Sequence, residues 1–161
     1  MSAKFHLAEV NVGRLRAPID HPTIKDFADN LDRINALAEA SPRFVWRLKG
    51  DGNNATDLAI DGDPLFIPNL SVWEDIPSLG AFVYRSGHIE IMRRRKEWFE
   101  PMDTYMALWW IPVGHEPTVE EALEKLALIA AHGPTPAAFT FKSPFPAPTG
   151  EPEEPELDEC A

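Results

Sequence analysis

A histidine and an arginine seven residues apart, each set among apolar side chains, are the residues of this chain best placed to do chemistry. In the stretch 82–99, FVYRSGHIEIMRRRKEWF, a helical period of about 100° per residue brings Tyr84, His88, Ile91, Met92, Arg95, Trp98 and Phe99 within roughly 120° of one another. Ser86, Glu90, Arg93, Arg94 and Glu97 fall on the opposite side. An unpaired buried charge costs several kcal/mol, so His88 and Arg95 need partners. One reading pairs both with acids or backbone carbonyls at a subunit interface. Another places both in a pocket, His88 as proton donor, acceptor or metal ligand and Arg95 against an anionic or enolate oxygen. A third is a helix break at Gly87 that voids the wheel.

The second group is Trp109-Trp110-Ile-Pro-Val-Gly-His115-Glu-Pro. Adjacent tryptophans on a strand face opposite sides. One can wall a cavity beneath helices while the other fills a contact between sheets. His115 follows the strand and precedes a capped helix, where it either bonds the helix end or projects into a pocket mouth. His6 lies on a strand, and His21 and His132 sit at helix ends facing solvent. There is no GxGxxG, Walker loop, HExxH or GxSxG. Asp51, Asn53, Asp57 and Asp61 invite a calcium reading, but Ala55 stands where a ligand belongs, so 49–64 reads as a surface loop. The single cysteine, Cys160, is penultimate, which excludes an intramolecular disulfide, a thiolate zinc site and a cysteine nucleophile. No paired carboxylates stand in an apolar setting, against glycosidase chemistry.

The elements that must position these residues follow from periodicity. Residues 4–14 alternate as a half-buried strand, with Phe5 and Leu7 opposite His6, Ala8, Val10 and Val12. A helix follows, with Asp20 and Thr23 as cap candidates and Pro22 in its first turn. Its stripe is Ile24, Phe27, Ala28, Leu31, Ile34 and Ala38, and Ser41-Pro42 ends it. Strands are expected at 44–48, at 64–73 with Pro68 marking an edge or bulge, at 104–111 and at 138–142. A long helical region spans 76–99. Thr118 and Glu121 form a capping box for a helix that stops at His132-Gly133-Pro134. The order β-α-β-β-α-β-α-β predicts an α+β sheet with helices on one face. Its bare face should meet a second copy.

The 161 residues suffice for one domain, residues 1–142, followed by a proline-rich acidic tail, 143–161. The net charge of −11 is largely a tail property. Residues 151–161 hold six acids and no base, and the rest has 20 acids against 15 bases. That balance argues against nucleic acid. No apolar run reaches transmembrane length and no leader is apparent at the N-terminus, so a cytoplasmic protein that meets no membrane is expected.

Leu70-Ser-Val-Trp73-Glu-Asp, Leu79-Gly-Ala-Phe82 and Ser86-Gly-His88 resemble the strand-to-helix segment of dimeric α+β barrel proteins, among them antibiotic-biosynthesis monooxygenase-like proteins. The fuller string resembles DUF3291, a family of unknown function. It includes Phe82-Val-Tyr84, Met92-Arg-Arg-Arg95, Glu97-Trp98-Phe99, Leu108-Trp-Trp110, Gly114-His115-Glu-Pro-Thr118 and Gly133-Pro134-Thr135. The resemblance spans about residues 4–142. It implies a ferredoxin-like antiparallel sheet that pairs with a second copy into a barrel, with a cavity between each sheet and its helices. The expected function is a small-molecule enzyme, monooxygenase-like, acting on an apolar oxygen-bearing substrate. His88, Arg95 and His115 are its catalytic candidates. Tyr84, Met92, Trp98, Phe99 and one of Trp109 or Trp110 would contact the substrate. No cofactor or metal is expected. The variant is non-covalent haem with His88 or His115 as axial ligand, and the rival is a non-catalytic ligand-binding or structural homodimer.

Overall fold

Ten residues of alternating character form the first strand, β1 (Phe5–Arg14), in a computed structural model that describes residues 4–50 and 60–148. A 3-10 turn, Pro22–Ile24, leads into α1 (Lys25–Glu39). Neither expected cap serves that turn. The ring of His21 accepts from the Thr23 amide at 3.1 Å. β2 (Phe44–Arg47) and β3 (Phe66–Trp73) follow, then α2 (Ile76–Arg85), α3 (His88–Arg93), α4 (Arg95–Trp98), β4 (Met106–Pro112) and α5 (Val119–His132). Asp51, Asn53 and Asp57 of the calcium reading lie outside the described residues.

The sheet order is β2-β3-β1-β4, and every neighbouring pair is antiparallel. With α1 and α2 as crossovers, this is the ferredoxin-like α+β arrangement. β2 ends opposite Ser71, so Pro68 lies on a stretch of β3 that β2 does not reach and removes no ladder bond there.

The two faces of β1 set the layers. Leu7, Glu9, Asn11 and Gly13 look toward α1–α4, and Ala8, Val10 and Val12 look the other way. The second set is fully buried with Leu70, Val72, Trp109 and Ile111 against Ala122 and Leu126 of α5. The expectation of helices on one face therefore holds only for α1–α4. The apolar stripe of α5 covers the opposite face, because the connection after β4 carries the chain across the sheet. The reason for expecting a second copy on a bare sheet falls with it.

The helical region 76–99 is broken where Gly87 suggested. Ser86 takes an extended conformation (φ −110°, ψ −175°). Its hydroxyl bonds the Phe82 carbonyl and accepts from the His88 amide at 3.1 Å. Ser86 thus closes one helix and starts the next, and the cavity-facing stripe survives the break. At α5, Thr118 Oγ1 accepts from the Glu121 amide at 3.1 Å, as the capping box requires. The Glu121 carboxylate, however, turns to other partners.

Residues 138–142 form no regular strand. Phe139 exchanges two backbone bonds of 2.8 Å with Leu108 and is fully buried. Pro134, Pro136, Pro144, Pro146 and Pro148 remove the donors that a longer ladder would need. The segment expected to trail from residue 143 is held at its start. Phe145 packs on Phe139 with ring centroids 5.8 Å apart, and its carbonyl accepts from Trp110 Nε1 at 2.9 Å.

Candidate functional site

A cavity of about 380 Å³ lies between the sheet and α1–α4. Its sheet wall comes from Glu9, Asn11 and Gly13 of β1 with Ile67 and Asn69 of β3, and its helix wall from Leu31 and Ile34 of α1 with His88, Met92 and Arg95. The opening exists because β1 and β3 present short or polar side chains on this face, so the helices cannot close onto the sheet. Leu31 and Ile34 are only half-buried for that reason. Gly13 is required at its position, because a Cβ there would lie 2.3 Å from Cδ1 of Phe99. Tyr84, which is exposed, and Lys142 line the cavity where it meets solvent.

Arg95 extends its guanidinium into this space. It donates to the Val12 carbonyl at 2.8 Å and stacks over the rings of Tyr105 and Phe99 at 4.2 and 4.8 Å. No carboxylate pairs with it among the described residues. Burial lowers its pKa, but an arginine remains charged at neutral pH. His88 has Nδ1 3.4 Å from the Val83 carbonyl and its ring 4.8 Å from that of Phe82. Burial outweighs the carbonyl's effect and lowers its pKa, favouring the neutral imidazole.

Opposite the helices, Glu9 is buried on the central strand. Oε2 accepts from Asn11 Nδ2 at 2.8 Å, and Oε1 accepts from Ser71 Oγ at 3.1 Å. Trp73 Nε1 donates to the same Ser71 oxygen at 2.9 Å. Desolvation, only partly offset by these two bonds, pushes the Glu9 carboxyl up to about 7. Arg47, also buried, lines the cavity and bonds Glu39 of α1 at 2.9 Å.

Of the residues singled out from the sequence, the structure brings together His88, Arg95, Tyr84, Met92, Trp98 and Phe99 around this cavity. It leaves out three. His115 lies beside α5, with Nε2 2.7 Å from Glu121 Oε1. Trp109 is buried against α5 and donates to Glu121 Oε2 at 2.9 Å. Glu121 thus bridges two partners, and its pKa is lowered by those bonds against an opposing desolvation. Trp110 faces the helix side, but the segment around Phe145 covers it.

The residues missed were Glu9, Asn11, Asn69 and Ser71. Polar residues alternating along two strands look like a solvent face. The signal against that reading was the amphipathic stripe of α1, which had to cover something.

The family model for DUF3291, a domain of unknown function, matches residues 6–155. No curated protein matches the chain. Among solved structures, PA3566 from Pseudomonas aeruginosa is similar at 11% identity and a TM-score of 0.48, over 70% of this chain and 96% of its own. NE2512, a protein of unknown function from Nitrosomonas europaea, is similar at 12% and 0.44, over 73% and 97%. SnoaB, a cofactor-independent oxygenase from Streptomyces nogalater, is similar at 15% and 0.44, over 73% and 98%. Likeness at this level bears on neither chemistry nor assembly.

Proposed function

The chain belongs to the DUF3291 family, and from that premise we propose that it is a small-molecule enzyme, monooxygenase-like, acting on an apolar oxygen-bearing substrate in the cavity between sheet and helices. The observation that carries this reading is Arg95. A guanidinium stacked on two rings, bonded among the described residues only to a backbone carbonyl, and open to a cavity of ligand size, is poised for an oxyanion. A merely structural arginine in this setting would be expected to hold a carboxylate.

The chemistry that suits these groups starts from a methylene beside a carbonyl. Loss of a proton leaves an enolate, whose oxygen pairs with Arg95. Dioxygen is the oxidant and adds at the carbon. Loss of water from the hydroperoxide then leaves a second carbonyl, so that CH2 and O2 become C=O and H2O. Neutral His88 is suited to exchange a proton with the reacting oxygens.

The test is dioxygen uptake with a panel of apolar ketones that includes 2-tetralone. Wild type is expected to consume dioxygen above the buffer rate. Arg95→Met is expected to lower kcat/KM about 100-fold or more, as for loss of an oxyanion donor. No uptake with any ketone, together with equal ketone binding by wild type and R95M, would overturn the proposal.

The assembly proposed with this function is a homodimer, now on different grounds. Trp46, Leu48, Phe66 and Leu123 remain only half-covered on the α5 side, Val45 is exposed, and β2 is an edge strand. The protein is expected to elute near twice 18.0 kDa on a sizing column, and a clean monomer counts against the dimer. No helix among the described residues is long and apolar enough to cross a membrane.

A further inference from the structure

We propose that Glu9 is the catalytic residue that takes the proton from the substrate's carbon, with Ser71 and Trp73 as positioning residues behind it. This rests on reading the cavity as an enzyme site and adds a group that the sequence did not single out.

Three observations carry it. First, Glu9 is 6% exposed yet lines the cavity, on a central strand flanked on both sides. Second, it has no cation partner among the described residues. Arg47 and Arg95 line the same cavity, but neither makes ion-pair contact with it, and they are engaged by Glu39 and by the Val12 carbonyl. A buried carboxyl with no ion pair among the described residues is costly as mere structure. Held apart from Arg95, it leaves room for a ligand to present an acidic hydrogen to one and an oxygen to the other.

Third, the hydrogen-bond chain has a fixed direction. An indole N–H can only donate, so Trp73 fills an acceptor site on Ser71 Oγ, and the hydroxyl proton points to Glu9 Oε1. With Asn11 donating to Oε2, each carboxylate oxygen is anchored once and keeps lone-pair capacity to accept a proton. In the step, the C–H bond breaks and an O–H bond forms on Glu9. The electron pair passes into the enolate, whose oxygen charge faces Arg95. Returning the proton, or a solvent deuteron, restores the carboxylate.

The other titratable groups lining the cavity are Arg47, Tyr84, His88, Arg95, Tyr105 and Lys142. The Ser71 hydroxyl touches Glu9 rather than any of these, so a shift in pH profile caused by Ser71→Ala belongs to Glu9.

The test is deuterium incorporation into 2-tetralone in D2O under argon, read by mass spectrometry. Wild type is expected to exceed the buffer rate about 100-fold or more, the ordinary range of general-base catalysis. Glu9→Gln is expected to fall to the buffer rate, and Glu9→Asp to keep part of the acceleration. The rate should rise as pH passes through about 7. Ser71→Ala should move that midpoint upward, because a donor to the carboxylate is lost.

Exchange by E9Q at the wild-type rate, or a profile that S71A leaves unmoved, overturns the proposal. If E9Q does not fold, the S71A profile decides. Dioxygen uptake by wild type without Glu9-dependent exchange overturns the role of Glu9 and leaves the enzyme reading standing. Glu9-dependent exchange without dioxygen uptake supports Glu9 and removes the oxygenase reading.

Discussion

Glu9→Gln is expected to be about 3 kcal/mol more stable than wild type at pH 8 and nearly equal to it at pH 4. The folded chain holds the Glu9 proton up to about 7, against an ordinary value of 4.5 in the unfolded chain. Between those values the folded state binds more protons than the unfolded one. Stability therefore falls as pH rises from about 4.5 to about 7 and then levels off. A gap of about 2.5 units at 1.36 kcal/mol each gives about 3 kcal/mol. Glutamine does not titrate and escapes this loss, and the Asn11 amide can turn to offer its oxygen to the new N–H. Urea unfolding at both pH values measures the effect. A difference that is the same at pH 4 and pH 8 would show that Glu9 does not bear the proton. A residue whose removal stabilises the fold most at the pH where its carboxylate would act is kept for something other than folding.

Trp73→Ala is expected to cost about 3–5 kcal/mol, the range for truncating a buried large aromatic. It should lower the thermal midpoint by about 10 °C in a domain of this size. Trp73 is fully buried, stacked on Phe82 at 5.3 Å and edge-on to Phe44 at 5.3 Å. It joins the packing of α2 to the hydrogen-bond chain ending at Glu9. Trp73→Phe separates those roles. It keeps most of the packing but strips Ser71 of its donor, and about 1–3 kcal/mol should remain lost. A loss below 1 kcal/mol for the alanine variant, read from chemical unfolding, would mean that the indole is not part of the core.

What could be read in advance depended on whether a residue's environment is local. The stripe from Tyr84 to Phe99 was legible because helical period alone sets which side chains share a face, and even the break at Ser86 left that face intact. Glu9 was not legible. Leu7, Glu9, Asn11 and Gly13 alternate with an apolar set, and from one strand that pattern is what a solvent face looks like. Only the covering by α1–α4, contacts from far along the chain, turns it into an interior. His115 failed for a related reason. Its role depends on Glu121, whose carboxylate was assigned to the capping box and instead serves Trp109 and His115. The bridge at Phe139 needs one residue and two bonds, too short a feature for any periodicity to announce. The second face of the sheet was read as bare because α5 was assumed to share a side with the other helices.

The central position of β1 also has a temporal consequence. Its neighbours in the sheet are β3 and β4. The bond that orients Glu9 spans 62 positions, and the one that anchors Arg95 spans 83. Such long loops must close before their contacts reward the closure, so a slow folding reaction is expected for a chain of this length. During synthesis the first strand emerges with an apolar face and no neighbour; β3 becomes available to it only with Trp73, and β4 only with Pro112. Nucleation has to wait for the middle of the chain, and the docking of Phe139 and Phe145 onto the edge of β4 comes after it. The cavity wall that holds Lys142 is therefore the part of the molecule assembled last.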